Sequence, residues 1–170
     1  ARSTGETVSY LRTVPNLEIW EVPKLFSVDT DEVLGAVAEA VPNLRKIDLR
    51  HNTCMDADQV DALCRQLPIR AVAMRTYLPI DVSQLTELRI SDEVSTLPTL
   101  SSDTLEIVSA RFTHSVQGLL DSCPRLCELR LPGVQLNERL RSTSLRTLGV
   151  CDITEERALE LCPNLHTLHL

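Results

Sequence analysis

Residues 44–52 read LRKIDLRHN, and the pattern Leu-x-x-Ile-x-Leu inside this stretch decides the fold. The same pattern, with Ile, Val, Trp, Ala or Met in place of some leucines, recurs along the whole chain. Its eight copies start at Leu17, Leu44, Ile69, Leu85, Leu105, Leu126, Leu145 and Leu165. Most of these intervals fit a period of about 20 to 29 residues, in which every repeat adds one short strand to a curved stack. We therefore expect one domain over residues 1–170, an α/β solenoid with parallel strands on its concave face.

The segments between the strands carry apolar residues at helical spacing, which predicts helices on the convex side. The predicted helices cover residues 30–41, 56–67, 116–123 and 158–162. Asp56 and Gln59 have the spacing of a capping box, and a proline before the next strand marks the end of a helix. The unit from Ile69 to Leu85 is too short for a helix, so we expect an extended or single-turn segment there.

Composition excludes some classes of partner. The formal net charge is −7, the pI is near 5.1, and aromatic residues make up 3% of the chain. Sequence-independent nucleic-acid binding needs a basic surface, and single strands need aromatic rings on which their bases stack. Anionic membranes repel an acidic protein for the same electrostatic reason, and no apolar run approaches the roughly 20 residues of a bilayer span. We expect neither nucleic acid nor a membrane as partner.

The six cysteines are predicted to be reduced. Cys123 and Cys162 stand directly before a proline, in a repeat slot that holds Val14 and Val41 in other copies. A slot shared by Val and Cys is typical of a small apolar core position, where a free thiol behaves as a hydrophobic group. Because disulfides are rare inside cells, the pattern favours an intracellular protein, with cytoplasm, nucleus and organelle left open.

The alternation of side chains along a strand separates core anchors from residues that face a partner. Trp20 fills an anchor slot, and we expect it in the core. Asp48 belongs to the concave face, while Tyr77 and Phe112 follow their strands near its rim and are candidate contact anchors. The central concave face also receives five arginines, namely Arg50, Arg75, Arg89, Arg111 and Arg130.

This arginine cluster has two interpretations. Like charges on adjacent strands repel, so the cluster needs anions near it. In one interpretation a partner protein supplies them through an acidic or phosphate-bearing segment, because guanidinium groups match carboxylates and phosphates. In the other, carboxylates of the same strands neutralise the cluster as an ordinary surface network; these are Asp48, Glu87, Asp92 and Glu106.

Chemistry beyond binding has little support in the sequence. Cys162, His166 and His169 have spacings that resemble zinc ligands, but the two histidines are three residues apart on a predicted strand and point to opposite faces. A thiol nucleophile needs a histidine and an orienting group beside it, and no glycine-rich phosphate loop or nucleophile elbow occurs. We therefore expect no metal, no cofactor and no catalytic residue.

The unit from Leu44 to Asn52 with its helix at 56–67, and the Leu-Cys-Pro-Asn-Leu run at 161–165, resemble leucine-rich repeats of the cysteine-containing and ribonuclease-inhibitor-like kinds. The resemblance covers residues 14–170 and implies a right-handed solenoid. Members usually hold Asn or Cys eight residues after the first anchor. Here Asn52 is the one conforming residue, so the chain looks like a divergent member.

Families with such repeats include substrate receptors of ubiquitin ligases, inhibitors and scaffold subunits of large assemblies. The resemblance thus implies a non-catalytic protein–protein interaction module, a scaffold or adaptor within a larger complex. An alternative is the substrate-recognition repeat domain of an F-box-type ubiquitin ligase, although no F-box-like helical segment precedes the repeats within this chain. An enzyme or metal protein is the third class. Since Leu170 is itself an anchor of the last pattern, we also expect the chain to be a fragment of a longer array.

Overall fold

The computed structural model describes residues 3–94, 100–112 and 115–170, with the side chains of Val94 and Phe112 outside the description. Ten strands are present in these residues: β1 (Ile19–Glu21), β2 (Lys46–Asp48), β3 (Ala71–Met74), β4 (Glu87–Val94), β5 (Ile107–Phe112), β6 (Glu128–Arg130), β7 (Gln135–Leu136), β8 (Thr147–Gly149), β9 (Asp152–Ile153) and β10 (Thr167–His169). Eight of them form one sheet in the order β1-β2-β3-β4-β5-β6-β8-β10, and all its pairings are parallel. This sheet, in which neighbours in sequence are neighbours in space, confirms the predicted α/β solenoid arrangement.

The register of the sheet follows the repeat pattern. Pairing joins the second anchor of every copy into one continuous row, namely Trp20, Ile47, Val72, Leu88, Val108, Leu129, Leu148 and Leu168. The first seven of these side chains are at most 6% exposed, so the row is the spine of the core. Trp20 packs its ring edge-on against Phe26, with ring centroids 5.0 Å apart, as expected of a core residue.

The described residues contain four helices, the first before β1 and the other three in connections between strands: α1 (Thr4–Leu11), α2 (Asp31–Ala40), α3 (Ala57–Gln66) and α4 (Val116–Ser122). The last three confirm predicted helices, and each turns apolar residues such as Leu34, Val60 and Leu119 into the core. The capping box at the start of α3 is half formed. Asp56 accepts the backbone N–H of Gln59 at 2.9 Å, while the side-chain carbonyl of Gln59 is buried without a partner.

The helix predicted at 158–162 is wrong. The backbone there forms a series of turns, in which the N–H of Ala158 donates to Glu155 O and that of Cys162 to Leu159 O. Starting a helix fixes several residues before the first hydrogen bond forms, and this short stretch before Pro163 cannot recover that cost. The segment between β3 and β4 has no helix, as predicted for the short unit from Ile69 to Leu85.

Asn52 ties two neighbouring repeats together. Its amide nitrogen donates to the carbonyls of Pro23 and Phe26 at 2.7 and 2.8 Å, and its carbonyl oxygen accepts the N–H groups of Cys54 and Met55. The six cysteines are free thiols, and Cys123 and Cys162 are 0% and 5% exposed in the core, as predicted. Among residues 3–94, 100–112 and 115–170, no helix has the length and hydrophobicity of a membrane span.

Candidate protein-binding surface

One face of the sheet points away from the anchor row and is largely accessible to solvent, except around Asp48 and Ala73, which are 7% and 2% exposed; we call it the open face. Its central row is formed by the residue after each second anchor, and pairing aligns these residues across the sheet as Glu21, Asp48, Ala73, Arg89, Ser109, Arg130, Gly149 and His169. The arginine side chains on this face are substantially exposed, from 40% for Arg89 to 69% for Arg75. The face therefore presents charged side chains on short strands whose pairing fixes their relative positions.

Arg50 is held by its neighbour Asp48. The guanidinium Nε lies 3.0 Å from both carboxylate oxygens of Asp48, and a second guanidinium nitrogen lies 2.5 Å from Oδ2. The backbone N–H of Arg50 adds a further hydrogen bond of 3.0 Å to Oδ1. The Asp48 side chain is only 9% exposed, and the hydrogen bonds from Arg50 lower the pKa of this carboxyl in spite of its burial. Arg50 and Asp48 therefore neutralise each other at the end of β2.

Two further arginines pair with a carboxylate two residues earlier on the same strand. Arg89 Nε lies 2.6 Å from Glu87 Oε1, and Lys46 approaches the same oxygen at 2.9 Å from the adjacent strand. Burial alone would raise the pKa of Glu87, but the hydrogen bonds from Lys46 and Arg89 outweigh burial and lower it. Arg130 Nε lies 2.8 Å from Glu128 Oε1 in the same way.

Arg75 and Arg111 are bound least firmly. Arg75 Nε is 3.3 Å from Asp92 Oδ2 on the next strand, and both side chains are well exposed, at 69% and 44%. Exposed pairs of this kind contribute about 0–1 kcal/mol, so a partner's anion can replace Asp92 at small cost. Within the described part of the chain, Arg111 has no carboxylate within ion-pair distance, although the register places Glu93 opposite it.

An irregularity of the sheet lies at the same place. The register between β4 and β5 shifts between Arg89 and Glu93, and these two strands run on to Val94 and Phe112, beyond the ends of their neighbours. Such bulges re-aim side chains and are over-represented beside functional sites. The sequence pattern carried no signal for this shift.

The structure thus brings the five predicted arginines and Asp48 onto one open face, and it supplies carboxylates for four of those arginines. Of the neutralising residues expected from the sequence, Asp48, Glu87 and Asp92 contact the cluster, whereas Glu106 pairs with Arg125 at 2.9 Å instead. Glu128 was missed, although its spacing from Arg130 repeats that of Glu87 from Arg89.

The two aromatic rim candidates are placed differently. Tyr77 is half-buried against the core, and this burial raises the pKa of its phenol. Its ring is therefore less available to a partner than an exposed anchor would be. Phe112 ends β5, but its side chain lies outside the described residues, so its contact role stays a prediction.

A hollow of about 300 Å³ lies on the open face where β8 carries Gly149. Arg130 and His169 flank this glycine in the register, Ser109 lies one strand further on, and Leu131 and Val150 contribute apolar walls. The repeat pattern by itself gives no role to Gly149. The lack of a side chain at Gly149 forms a hollow only because the sheet places Arg130 and His169 on either side of it.

Burial opposes chemistry at three of the thiols. Desolvation raises the pKa of Cys64 to about 12 and also raises the pKa of Cys123 and Cys162, which keeps these groups protonated. Among the residues that the structure describes, no three His, Cys, Asp or Glu side chains are grouped so as to hold a metal ion.

Comparison with protein-family models, with curated proteins and with solved structures finds no match to this chain. The class is therefore defined by the geometry itself: an α/β repeat solenoid with an eight-stranded parallel sheet and an open, charged sheet face.

Proposed function

We propose that this chain is a non-catalytic protein-binding module of the leucine-rich repeat type, which acts as a scaffold or adaptor in a larger intracellular assembly. The observation that carries the proposal is the open face. Eight parallel strands of one sheet align their side chains into continuous rows, and the arginine side chains Arg50, Arg75, Arg89 and Arg130 on this face remain exposed. Solenoids use such extended sheet surfaces for binding, and a rigid surface loses little entropy when a partner docks.

The repeat geometry supports the finer assignment. Parallel strands joined through helical connections are right-handed in about 98% of cases, which favours a right-handed solenoid. The Leu-x-x-Leu-x-Leu anchors lie in register, and the side chain of Asn52 satisfies backbone groups of the preceding repeat. The reduced state of all six cysteines is in keeping with an intracellular location.

The partner in this proposal is a protein with an acidic or phosphate-bearing segment. Among the described residues no carboxylate lies within ion-pair distance of Arg111, although Glu93 is opposite it in the register, and the exposed pair of Arg75 with Asp92 is easily exchanged. These two cations are therefore the most available ones on the face. Arg50, Arg89 and Arg130 serve mainly to balance Asp48, Glu87 and Glu128.

The test is affinity purification from native extract with identification by mass spectrometry. The bait is compared with a double variant, Arg75→Glu with Arg111→Glu. A matched control, Arg139→Glu with Arg157→Glu, makes the same charge change at exposed arginines that pair with Glu155 and Glu160 away from the open face. A set of partners retained by the control and lost with the open-face variant supports the proposal. Partners that bind all three baits equally overturn it.

A further inference from the structure

A second hollow, of about 330 Å³, lies where the connection from β3 to β4 runs beside α3, and we call it the α3 hollow. The C-terminal half of α3 lines it with Asp61, Cys64 and Arg65, and the connection lines it with Asp81 and Gln84. Because this connection is too short to form a helix, it leaves open space beside α3. The α3 hollow shares no lining residue with the arginine cluster of the open face.

Two carboxylates lie side by side in the α3 hollow. Asp61 Oδ1 accepts the backbone N–H of Asp81 at 2.9 Å, which links the two residues. Asp81 Oδ1 in turn accepts the backbone N–H of Ser83 at 2.9 Å. Within the described part of the chain, neither carboxylate has a cationic side chain within ion-pair distance. Their negative charges are therefore not neutralised by direct contact.

Two guanidinium groups bring positive charge to the same hollow. Arg70 Nη1 donates to the backbone carbonyl of Gln84 at 3.2 Å and approaches its side-chain oxygen at 3.4 Å. Arg65 is exposed, and in the described residues its side chain makes no hydrogen bond and no ion pair. Hydrogen bonds from Ser83 lower the pKa of Asp81, and the charge of Arg65 lowers it further. Arg65 thus acts on Asp81 through space while its donors stay unused.

The floor between these charges is neutral. Leu67 is 5% exposed, and burial raises the pKa of Cys64 to about 12, so that its thiol stays protonated. The four charged groups around this floor sum to zero. A ligand with a single charge is attracted by one pair of them and repelled by the other, whereas a ligand that carries both charges is attracted by both pairs.

We propose that the α3 hollow binds a free α-amino acid, with its carboxylate on Arg65 and Arg70 and its ammonium group on Asp61 and Asp81. Guanidinium groups match a carboxylate in bidentate geometry, and an ammonium group has three donors for carboxylate oxygens. An α-amino acid carries both charges on one carbon atom, which suits a single small hollow. A polypeptide segment would instead bury a wider patch with an apolar centre. This binding site goes beyond the proposed function and is independent of it.

The probes are free L-alanine, L-leucine and L-glutamine, each titrated into the ¹⁵N-labelled chain at neutral pH and low salt. The readout is the NMR chemical shift of the arginine Nε–H groups and of the backbone amides of residues 61–84. We expect at least one probe to cause saturable shifts at Arg65 and Arg70. The N-acetyl form of that probe lacks the ammonium charge and its amide form lacks the carboxylate, so each should bind about tenfold more weakly or worse.

Two variants test the assigned residues. Arg65→Gln removes a guanidinium group that makes no contact in the described residues, and Asp61→Asn removes a negative charge but keeps an oxygen for the N–H of Asp81. Each should weaken binding of the amino acid by about tenfold or more. Asp58→Asn is the matched control, because it makes the same change at an exposed position of α3 outside the hollow. Circular dichroism and thermal melting establish that all three variants fold.

The absence of saturable shifts with all three probes overturns the proposal, as does equal binding by Arg65→Gln, Asp61→Asn and the Asp58→Asn control. An N-acetylated and C-amidated Lys-Glu peptide that binds more tightly than the free amino acids indicates a polypeptide ligand and overturns the amino-acid assignment. The open-face variant, Arg75→Glu with Arg111→Glu, leaves the α3 hollow intact and should bind the amino acid as the unaltered chain does. Failure of amino-acid binding therefore leaves the proposed function to be judged by the purification experiment.

Discussion

The guanidinium of Arg50 donates hydrogen bonds to both carboxylate oxygens of Asp48, two residues earlier in the chain. The backbone N–H of Arg50 donates a further one to Asp48 Oδ1. Arg50 lies in the turn that directly follows β2, on the same side of the chain as Asp48. The same spacing joins Glu87 to Arg89 and Glu128 to Arg130. Three of the arginines on the open face are therefore paired with a carboxylate two residues earlier in the sequence, and the arginines differ in how free they are to bind a partner.

Arg50→Ala should lower the free energy of unfolding by about 1–2 kcal/mol, because the poorly exposed carboxylate of Asp48 loses its main donors. Arg111→Ala should change it by less than about 0.5 kcal/mol, since no carboxylate in the described residues depends on this cation. Urea titrations of both variants measure the difference. If Arg50→Ala and Arg111→Ala changed the free energy of unfolding equally, Arg50 would not be a structural arginine in contrast to Arg111.

Stability should fall in acid through Asp48 and Glu87. The folded-state pKa of each carboxyl is below its ordinary value, 3.8 for Asp48 and 4.5 for Glu87. Each group therefore stabilises the fold above its unfolded pKa, and this contribution is lost as the pH falls through the lowered pKa. Denaturant midpoints measured from neutral pH into acid should decline most once the pH is below the ordinary pKa values of these two carboxyl groups. Asp48→Asn and Glu87→Gln should each flatten that decline, and an unaltered slope in both variants would refute the assignment.

Asn52→Ala should destabilise the chain by about 1–3 kcal/mol, because it leaves two carbonyls and two N–H groups of adjacent segments without their partner. Asn164→Ala is the control: its side chain donates one hydrogen bond, to Thr143 O at 2.7 Å, from an exposed position. Thermal melting compares the two variants. A larger loss for Asn164→Ala would mean that the Asn52 contacts contribute little.

Gly149→Ala should raise the free energy of unfolding by about 0.5–1 kcal/mol, because alanine restricts the unfolded chain and fits the native backbone. Gly133→Ala should act in the opposite direction, since the φ of Gly133 is +82°, a conformation that alanine avoids. Denaturant unfolding under identical conditions checks both signs. Destabilisation by Gly149→Ala would show that β8 does not accept a Cβ at this position.

In the folded chain, the rate at which iodoacetamide alkylates each cysteine should depend on how deeply that cysteine is buried. Cys54 and Cys151 are exposed and should be alkylated first, while Cys123 and Cys162 lie in the core with raised pKa values and should resist. Cys64, with its pKa raised to about 12, should also react slowly. Peptide mapping after timed quenching follows each site, with urea-unfolded chain as the control in which all six sites react. Early modification of Cys123 or Cys162 would contradict their core placement.

The sequence alone determined the repeat spacing, the buried anchor row from Trp20 to Leu148, the core positions of Cys123 and Cys162, and the helices α2, α3 and α4. These features follow from burial, which a local pattern of apolar residues records directly. The pairing of Asp48 with Arg50 could also be predicted from the sequence, because the two residues are only two positions apart.

Only the tertiary structure decided which arginines stay available and where the open face becomes hollow. The contact of Arg75 with Asp92 depends on the register between two strands, and the position of Arg111 depends on the shift between β4 and β5. The hollow at Gly149 exists because three strands bring Ser109, Arg130 and His169 around a missing side chain. A periodic pattern specifies which side of a strand is buried, whereas charge pairing and empty space arise from atoms that the fold brings together from distant parts of the chain.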